Sequence, residues 1–126
     1  RISPSSVLIK KTLFAECGYF DEDLPACEDY DMWLRITAHY PVLYLEEPLT
    51  MKYGGHEDQL SKIIWGLDRY RISAIEKCLQ SNTLKESYRQ AAIKTLHEKI
   101  KIYCQGAAKR GKLDEVEYYE RLYHAY

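Results

Sequence analysis

Acidic side chains crowd residues 28–35, which read EDYDMWLR. Apolar residues at helical spacing in this segment predict a helix that begins at Glu28 and ends before Pro41. A carboxylate held at the rigid start of a helix and aimed into a cleft is suited to remove the proton of a hydroxyl group. The same acids would also stabilise the positive end of the helix dipole, and Asp31 with Arg35 has the spacing of an ion pair. Residue types alone leave both interpretations open, a catalytic carboxylate and a helix cap.

A second polar segment, residues 53–61, reads YGGHEDQLS. Adjacent glycines let the backbone approach a ligand closely, and the start of a helix favours anions such as phosphate. His56 could therefore bind a metal ion or contact a diphosphate. Alternatively, His56 is an ordinary loop residue, and the acids after it only cap the helix that follows.

Two Asp-x-Asp pairs, Asp21 with Asp23 and Asp29 with Asp31, match the carboxylate pair that binds a divalent cation through oxygen atoms. Such pairs arise by chance in any acidic loop, and neither of these directly follows a predicted buried strand. We interpret Asp21 and Asp23 as part of a solvated turn.

The elements that must position these residues change in character near Ser61. Before it, turn residues are frequent, and the runs between them predict strands at residues 7–9, 42–45 and 50–53 and helices at 10–17 and 28–40. After it, apolar residues recur at helical period and predict a bundle of three helices at 61–79, 84–107 and 114–123. A tetratricopeptide-like array is disfavoured, because no second copy of a helix pair follows at the period of about 34 residues.

The composition of the 126 residues excludes several classes of protein. With 46% hydrophobic and 29% charged residues, the chain can bury a core and is neither a disordered tail nor a low-complexity linker. Its 18 basic and 19 acidic residues give a net charge of −1, too weak a field to attract nucleic acid. The cysteines form no CxxC pair, and no apolar stretch reaches the about 20 residues that span a bilayer. We therefore expect reduced thiols, a cytoplasmic location and no binding of nucleic acid.

Short motifs follow one another in the order SSVLIKK, CGYFDEDL, EDYDMWLR, EPL and GGHEDQLS. Over residues 4–65, this order resembles the C-terminal half of the catalytic domain of family 2 glycosyltransferases. The resemblance implies an α/β fold of the GT-A, nucleotide-diphospho-sugar transferase type. This chain would be a fragment of it, mostly helical with a few short strands and a C-terminal helical bundle. Residues 1–60 would form the acceptor-side half of the catalytic domain, and residues 61–126 a helical C-terminal extension.

The resemblance also implies an activity. An inverting, hexosyltransferase-type enzyme would move a sugar from a UDP- or GDP-sugar to a hydroxyl of a sugar or lipid-linked acceptor, with Mn²⁺ or Mg²⁺ on the diphosphate. Asp29 matches the catalytic base of the family, and Glu28 beside it would orient the acceptor or tune Asp29. Trp33 and Arg35 match the helix positions that hold this motif on the substrate side.

His56 matches the family position that reaches the metal or the donor diphosphate, and Gly54 and Gly55 would leave it room. The resemblance places such an enzyme in the cytoplasm, peripherally at the inner face of the membrane. The family's nucleotide-binding half, with its Asp-x-Asp motif, lies upstream of this region and is not in this chain. Since Arg1 reads as a position inside a longer protein, we expect the parent protein to be the enzyme and this fragment alone to be inactive.

An alternative from another class is a non-catalytic helical interaction module. In that case the helices after Ser61 would bind a partner or form a homo-oligomer, while Glu28 and Asp29 would only cap a helix. The coding sequence upstream of Arg1 distinguishes the two hypotheses. A strand-rich half with Asp-x-Asp would favour the enzyme, and further helices would favour the module.

Overall fold

The computed structural model describes residues 2–51, 53 and 63–126. The chain divides into two units, Arg1–Trp65 and Gly66–Tyr126. In the first unit the described elements are a 3-10 turn at Pro4–Ser6 and the helices Thr12–Cys17 (α1) and Glu28–Thr37 (α2). In the second unit they are the helices Asp68–Gln80 (α3), Glu86–Ala108 (α4) and Leu113–Ala125 (α5).

In the first unit, α1 packs against α2. Helix α1 ends at Gly18, whose φ of 81° lies in the left-handed region that glycine enters without a steric penalty. Helix α2 buries Asp31, Met32 and Ile36, and its other residues are half-buried. The predicted helix from Glu28 and the stop at Gly18 are confirmed.

In the second unit, α4 lies against both α3 and α5. Apolar residues three and four positions apart on α3 and α4 supply the side chains that are buried most completely, namely Ile72, Ile75, Leu79, Leu96 and Ile100. Three helices in this region were expected from the periodicity, and the structure has three within one or two residues of the predicted ends, except at the start of α3.

Polar contacts join α3 to α4. The carboxylate of Asp68 accepts hydrogen bonds from Arg71 at 2.8 Å and from Lys99 at 3.1 Å. Burial alone would raise the pKa of Asp68, but the two cationic donors outweigh it and hold that pKa below its usual value. Arg89 donates to the carbonyl of Leu79 at 3.1 Å and so satisfies one acceptor at the end of α3.

Tyrosine side chains join α4 to α5. The hydroxyl of Tyr103 donates to Glu115, which also pairs with Lys112 at 2.7 Å. Burial and the hydrogen bond to Glu115 raise the pKa of Tyr103 above its usual range. The ring of Tyr119 lies edge-on to Tyr103 at 4.7 Å, and burial raises the pKa of Tyr119 to about 12. Both hydroxyls therefore stay protonated at neutral pH.

The prediction of an α/β fold is wrong for the described part of the chain, which contains helices and no strand. Residues 7–9 and 42–45 belong to no strand there, and the last predicted strand, 50–53, forms no ladder in its described residues. The physical reason is that β-prone residues become a strand only when a neighbouring strand accepts and donates the ladder hydrogen bonds. Leu43 and Tyr44 instead stand 93% and 83% exposed.

Gly66, which precedes α3, lies within the helix that periodicity predicts over residues 61–79. Its φ is 73°, and a Cβ atom there would lie 2.9 Å from Cε2 of the buried Tyr103 ring. Helix α3 therefore begins at Asp68, and the predicted start of this helix at Ser61 lies outside the described residues.

Replacing Gly66 by Ala is expected to lower the free energy of unfolding by about 2–3 kcal/mol, because it adds backbone strain and a clash with a ring that cannot move away. Gly111 provides the matched control. It has a similar φ of 70°, but a Cβ atom there meets nothing within 4 Å, so Gly111→Ala should cost only about 1 kcal/mol. Urea unfolding of both variants measures the difference, and equal costs would contradict the contact with Tyr103.

Candidate functional site

The site is built around the start of α2, where Cys27 turns the chain. Its φ of 63° and ψ of 22° place a non-glycine residue in the left-handed region, which costs roughly 1–2 kcal/mol. The carbonyl of Cys27 accepts the backbone N–H of Asp31 at 3.1 Å, which is the first hydrogen bond of the helix. This turn sets Glu28, Asp29 and Asp31 in the first turn of α2.

Asp29 is half-buried and one of its oxygens is fixed. Oδ1 accepts the backbone N–H of Tyr30 at 2.8 Å. Within the described residues, Oδ2 of Asp29 accepts no hydrogen bond. One oxygen therefore orients the carboxylate, while the other can accept a proton from an incoming hydroxyl group. Glu28, also half-buried, lies next to it in the chain.

Asp31 has a different environment from Asp29. It is only 3% exposed, and its Oδ2 pairs with Nε of Arg35 at 3.0 Å. The predicted i, i+4 ion pair is confirmed, and the second acid of the Asp29-x-Asp31 pair is thereby engaged in holding the helix.

The guanidinium group of Arg35 makes two further contacts, both with the backbone around Gly18. Nη2 donates to the carbonyl of Tyr19 at 2.7 Å, and Nη1 donates to the carbonyl of Cys17. Carbonyls at the end of a helix lack intrahelical partners and carry the negative end of the dipole, so a cation is well placed there. Arg35 thus positions the loop after α1 against α2, and its predicted contact with substrate stays a prediction.

Trp33 belongs to a chain of aromatic contacts. Its ring lies edge-on to Phe20, with centroids 6.3 Å apart and an interplanar angle of 83°. Phe20 lies 6.3 Å from Phe14, which stacks on Tyr19 at 5.4 Å. The indole N–H of Trp33 is buried and meets no hydrogen-bond acceptor in the described part of the chain. Trp33 therefore anchors the loop 18–27, and its assignment to substrate binding is a prediction that the contacts do not test.

The remaining predicted site residues are Gly54, Gly55 and His56, and they lie outside the described residues. Across residues 2–51, 53 and 63–126, no three His, Cys, Asp or Glu side chains lie where they could together hold a metal ion. The described residues thus do not provide a divalent metal centre by themselves. Asp23 is exposed, and its N–H bonds Oδ1 of Asp21 at 3.0 Å, as expected for a turn.

Two features of the site were not predicted from the sequence. Nothing in the sequence marks Cys27 as left-handed, since cysteine has no preference for that conformation. Gly18 was recognised as a helix stop, but its second role follows only from the fold. A Cβ atom at Gly18 would lie 3.1 Å from Nη1 of Arg35, so the glycine also makes room for the guanidinium group.

Comparison with known proteins agrees with the order of motifs. The family model described as "Glycosyltransferase like family 2" matches residues 1–102, which includes α3 and most of α4. The match therefore extends beyond the first unit. Among the described helices, none is long and apolar enough to cross a membrane.

Curated relatives match a part of this chain. An uncharacterized glycosyltransferase of Rickettsia felis is 39% identical over 59 residues, which cover 47% of this chain and 10% of that protein. One from Rickettsia conorii is 37% identical over the same shares of both chains. The matched segment thus spans about a tenth of the length of these relatives, and no solved structure matches the chain. With 102 of its 126 residues matched by the family model, the chain belongs to glycosyltransferase-like family 2.

Proposed function

We propose that this chain supplies the acceptor side of a family 2 glycosyltransferase, with Asp29 as the general base. The observation that carries the proposal is the state of the Asp29 carboxylate at the start of α2. One oxygen is held by the N–H of Tyr30 at 2.8 Å, and the other is not engaged by any described group. The neighbouring acid, Asp31, is occupied by Arg35 and is not a candidate base.

The proposed reaction is an inverting displacement. Asp29 accepts the proton of an acceptor hydroxyl while that oxygen attacks the anomeric carbon of the donor sugar. A new glycosidic C–O bond forms, the C–O bond to the nucleoside diphosphate breaks, and its electron pair leaves with the phosphate oxygen. Glu28 orients the attacking hydroxyl group. Base catalysis of this kind contributes about 10²–10⁴-fold to a rate.

On the donor side we propose a UDP- or GDP-hexose, contacted by His56 with Gly54 and Gly55 beside it. Adjacent glycines permit a backbone to approach a ligand closely, and an imidazole is a chemical group that can bind a diphosphate or its counter-ion. A bound Mn²⁺ or Mg²⁺ would neutralise charge on the leaving diphosphate. Because the matched segment is about a tenth of the relatives' length, transfer is proposed for the parent protein. A cytoplasmic location and a homo-oligomer formed through α3–α5 also stay predictions.

Calorimetry on the intact parent protein tests the donor side. In the presence of Mn²⁺, we expect UDP or GDP to bind, and His56→Ala to weaken that binding at least about tenfold, as loss of one charge-assisted contact would. His97→Ala is the matched control, because His97 stacks on Tyr123 in the second unit and should leave nucleotide binding unchanged. If neither nucleotide binds, the chain is not part of such an enzyme and the helical interaction module is favoured.

A further inference from the structure

The loop that follows α1 presents two aromatic rings to solvent. Tyr19 is 73% exposed and Phe20 is 38% exposed. Phe14 covers one face of the Tyr19 ring, with centroids 5.4 Å apart and planes inclined by 19°, and the exposure of Tyr19 leaves the opposite face open. Phe20 is supported from the side by Trp33 at 6.3 Å. The result is an aromatic surface whose rings are oriented by other rings behind them.

The backbone that carries these rings is held in place. Arg35 donates to the carbonyls of Cys17 and Tyr19, on either side of Gly18. Gly18 has a positive φ of 81°, and a Cβ atom at this position would lie 3.1 Å from Nη1 of Arg35. A ligand that bound to the rings would therefore not have to order the loop first, and preorganisation of this kind favours binding.

Phe20, one ring of the aromatic surface, contacts the face of α2 that carries the proposed base. Trp33, which contacts Phe20, follows Asp29 by four residues, and residues at this spacing share one face of a helix. Directly after Phe20, Asp21 and Asp23 form a turn in which the N–H of Asp23 bonds Oδ1 of Asp21 at 3.0 Å. Phe20 thus contacts the helix face that Asp29 shares, and the carboxylates of Asp21 and Asp23 follow Phe20 directly in the chain.

We infer that Tyr19 and Phe20 form a stacking surface for a pyranose ring, and that the acceptor is accordingly a sugar. This inference rests on the proposed function of Asp29. One face of a pyranose carries C–H groups, which pack against the electron-rich face of an aromatic ring. Its rim carries hydroxyl groups, which donate to carboxylates such as those of Asp21 and Asp23. A purely lipidic acceptor would instead favour an apolar groove without acids.

Saturation-transfer NMR on the intact parent protein tests this inference, with the methyl glycosides of glucose, galactose, mannose and N-acetylglucosamine as probes and no donor present. We expect at least one glycoside to receive saturation on the C–H face of its ring, and Tyr19→Ala to abolish the signal. Tyr19→Phe should retain it, because the ring remains. Tyr88→Ala is the control, since Tyr88 is a 50% exposed tyrosine on α4 of the second unit.

Kinetics give a second readout. For a glycoside that serves as acceptor, Tyr19→Ala should raise its KM about tenfold and leave kcat and the Kd for nucleotide unchanged. Saturation of no glycoside, or an equal signal from the wild type and Tyr19→Ala, would overturn the stacking surface. A third outcome separates this inference from the proposed function. If nucleotide binds and Asp29→Asn abolishes transfer, Asp29 is supported as the base; if Tyr19→Ala then changes neither the NMR signal nor the KM, only the stacking surface is contradicted.

Discussion

Asp29→Asn in the intact parent protein is expected to lower the rate of sugar transfer about 10²–10⁴-fold, the usual contribution of a general base. The amide keeps the size of the carboxylate, and its oxygen can still accept the N–H of Tyr30 that lies 2.8 Å from Oδ1 in the wild type. It cannot take the proton of the acceptor hydroxyl. The loss should therefore fall on kcat, while the Kd for UDP or GDP stays the same. Transfer assays and calorimetry on one preparation measure both quantities.

Two neighbouring acids serve as controls for Asp29. Glu28→Gln should reduce transfer less, because Glu28 is proposed to orient the acceptor rather than to accept its proton. Asp31→Asn should lower the free energy of unfolding, since the Asp31 carboxylate is buried and paired with Arg35 at 3.0 Å. Turnover of Asp29→Asn close to the wild-type value would contradict the assignment of the base. A loss of nucleotide binding together with transfer would instead indicate a general defect in the fold.

Arg35→Ala is expected to lower the free energy of unfolding by about 2–3 kcal/mol, because hydrogen bonds to charged groups are the stronger ones and the partner Asp31 is buried. The substitution removes the ion pair and both contacts with the loop carbonyls of Cys17 and Tyr19. Arg35→Lys should recover less than half of this loss, since an ammonium group cannot bridge three acceptors as the planar guanidinium does. Urea unfolding measures all three proteins.

A double-mutant cycle with Gly18→Ala tests the contact directly. When Arg35 is present, alanine at position 18 must adopt the unfavourable φ of 81°, and its methyl group lies 3.1 Å from Nη1 of Arg35. We therefore expect Gly18→Ala to lower the free energy of unfolding by about 2 kcal/mol. In the Arg35→Ala background only the φ strain remains, and the cost should fall to about 1 kcal/mol. Additive costs would show that Arg35 does not reach the backbone at Gly18.

The sequence was most informative wherever the deciding interactions are local. The limits of α1 and α2 followed from apolar spacing and from Gly18, and the pairing of Asp31 with Arg35 followed from their separation by one helical turn. The order of motifs also led to the right family, which the family model confirms over residues 1–102. The roles of Asp29, Glu28 and His56 stay predictions.

The sequence patterns gave wrong predictions where the structure of a segment depends on residues that are far away in the chain. The apolar run at 42–45 predicted a strand, but a strand needs a partner, and the described chain has none for it. Apolar periodicity also predicted one continuous helix through Gly66. The pattern carries no information about the ring of Tyr103, which packs against the backbone at Gly66 in the structure.

By itself, then, the sequence determined the family through the order of its motifs. It also determined most of the helical segments and the ion pair within α2, since these depend on residues close together in the chain. Only the tertiary structure decided what Arg35 holds, because the carbonyls of Cys17 and Tyr19 lie 18 and 16 residues away from it. It likewise decided that Phe20 lies against Trp33 of α2, because this contact forms only when α1 and its loop pack on α2.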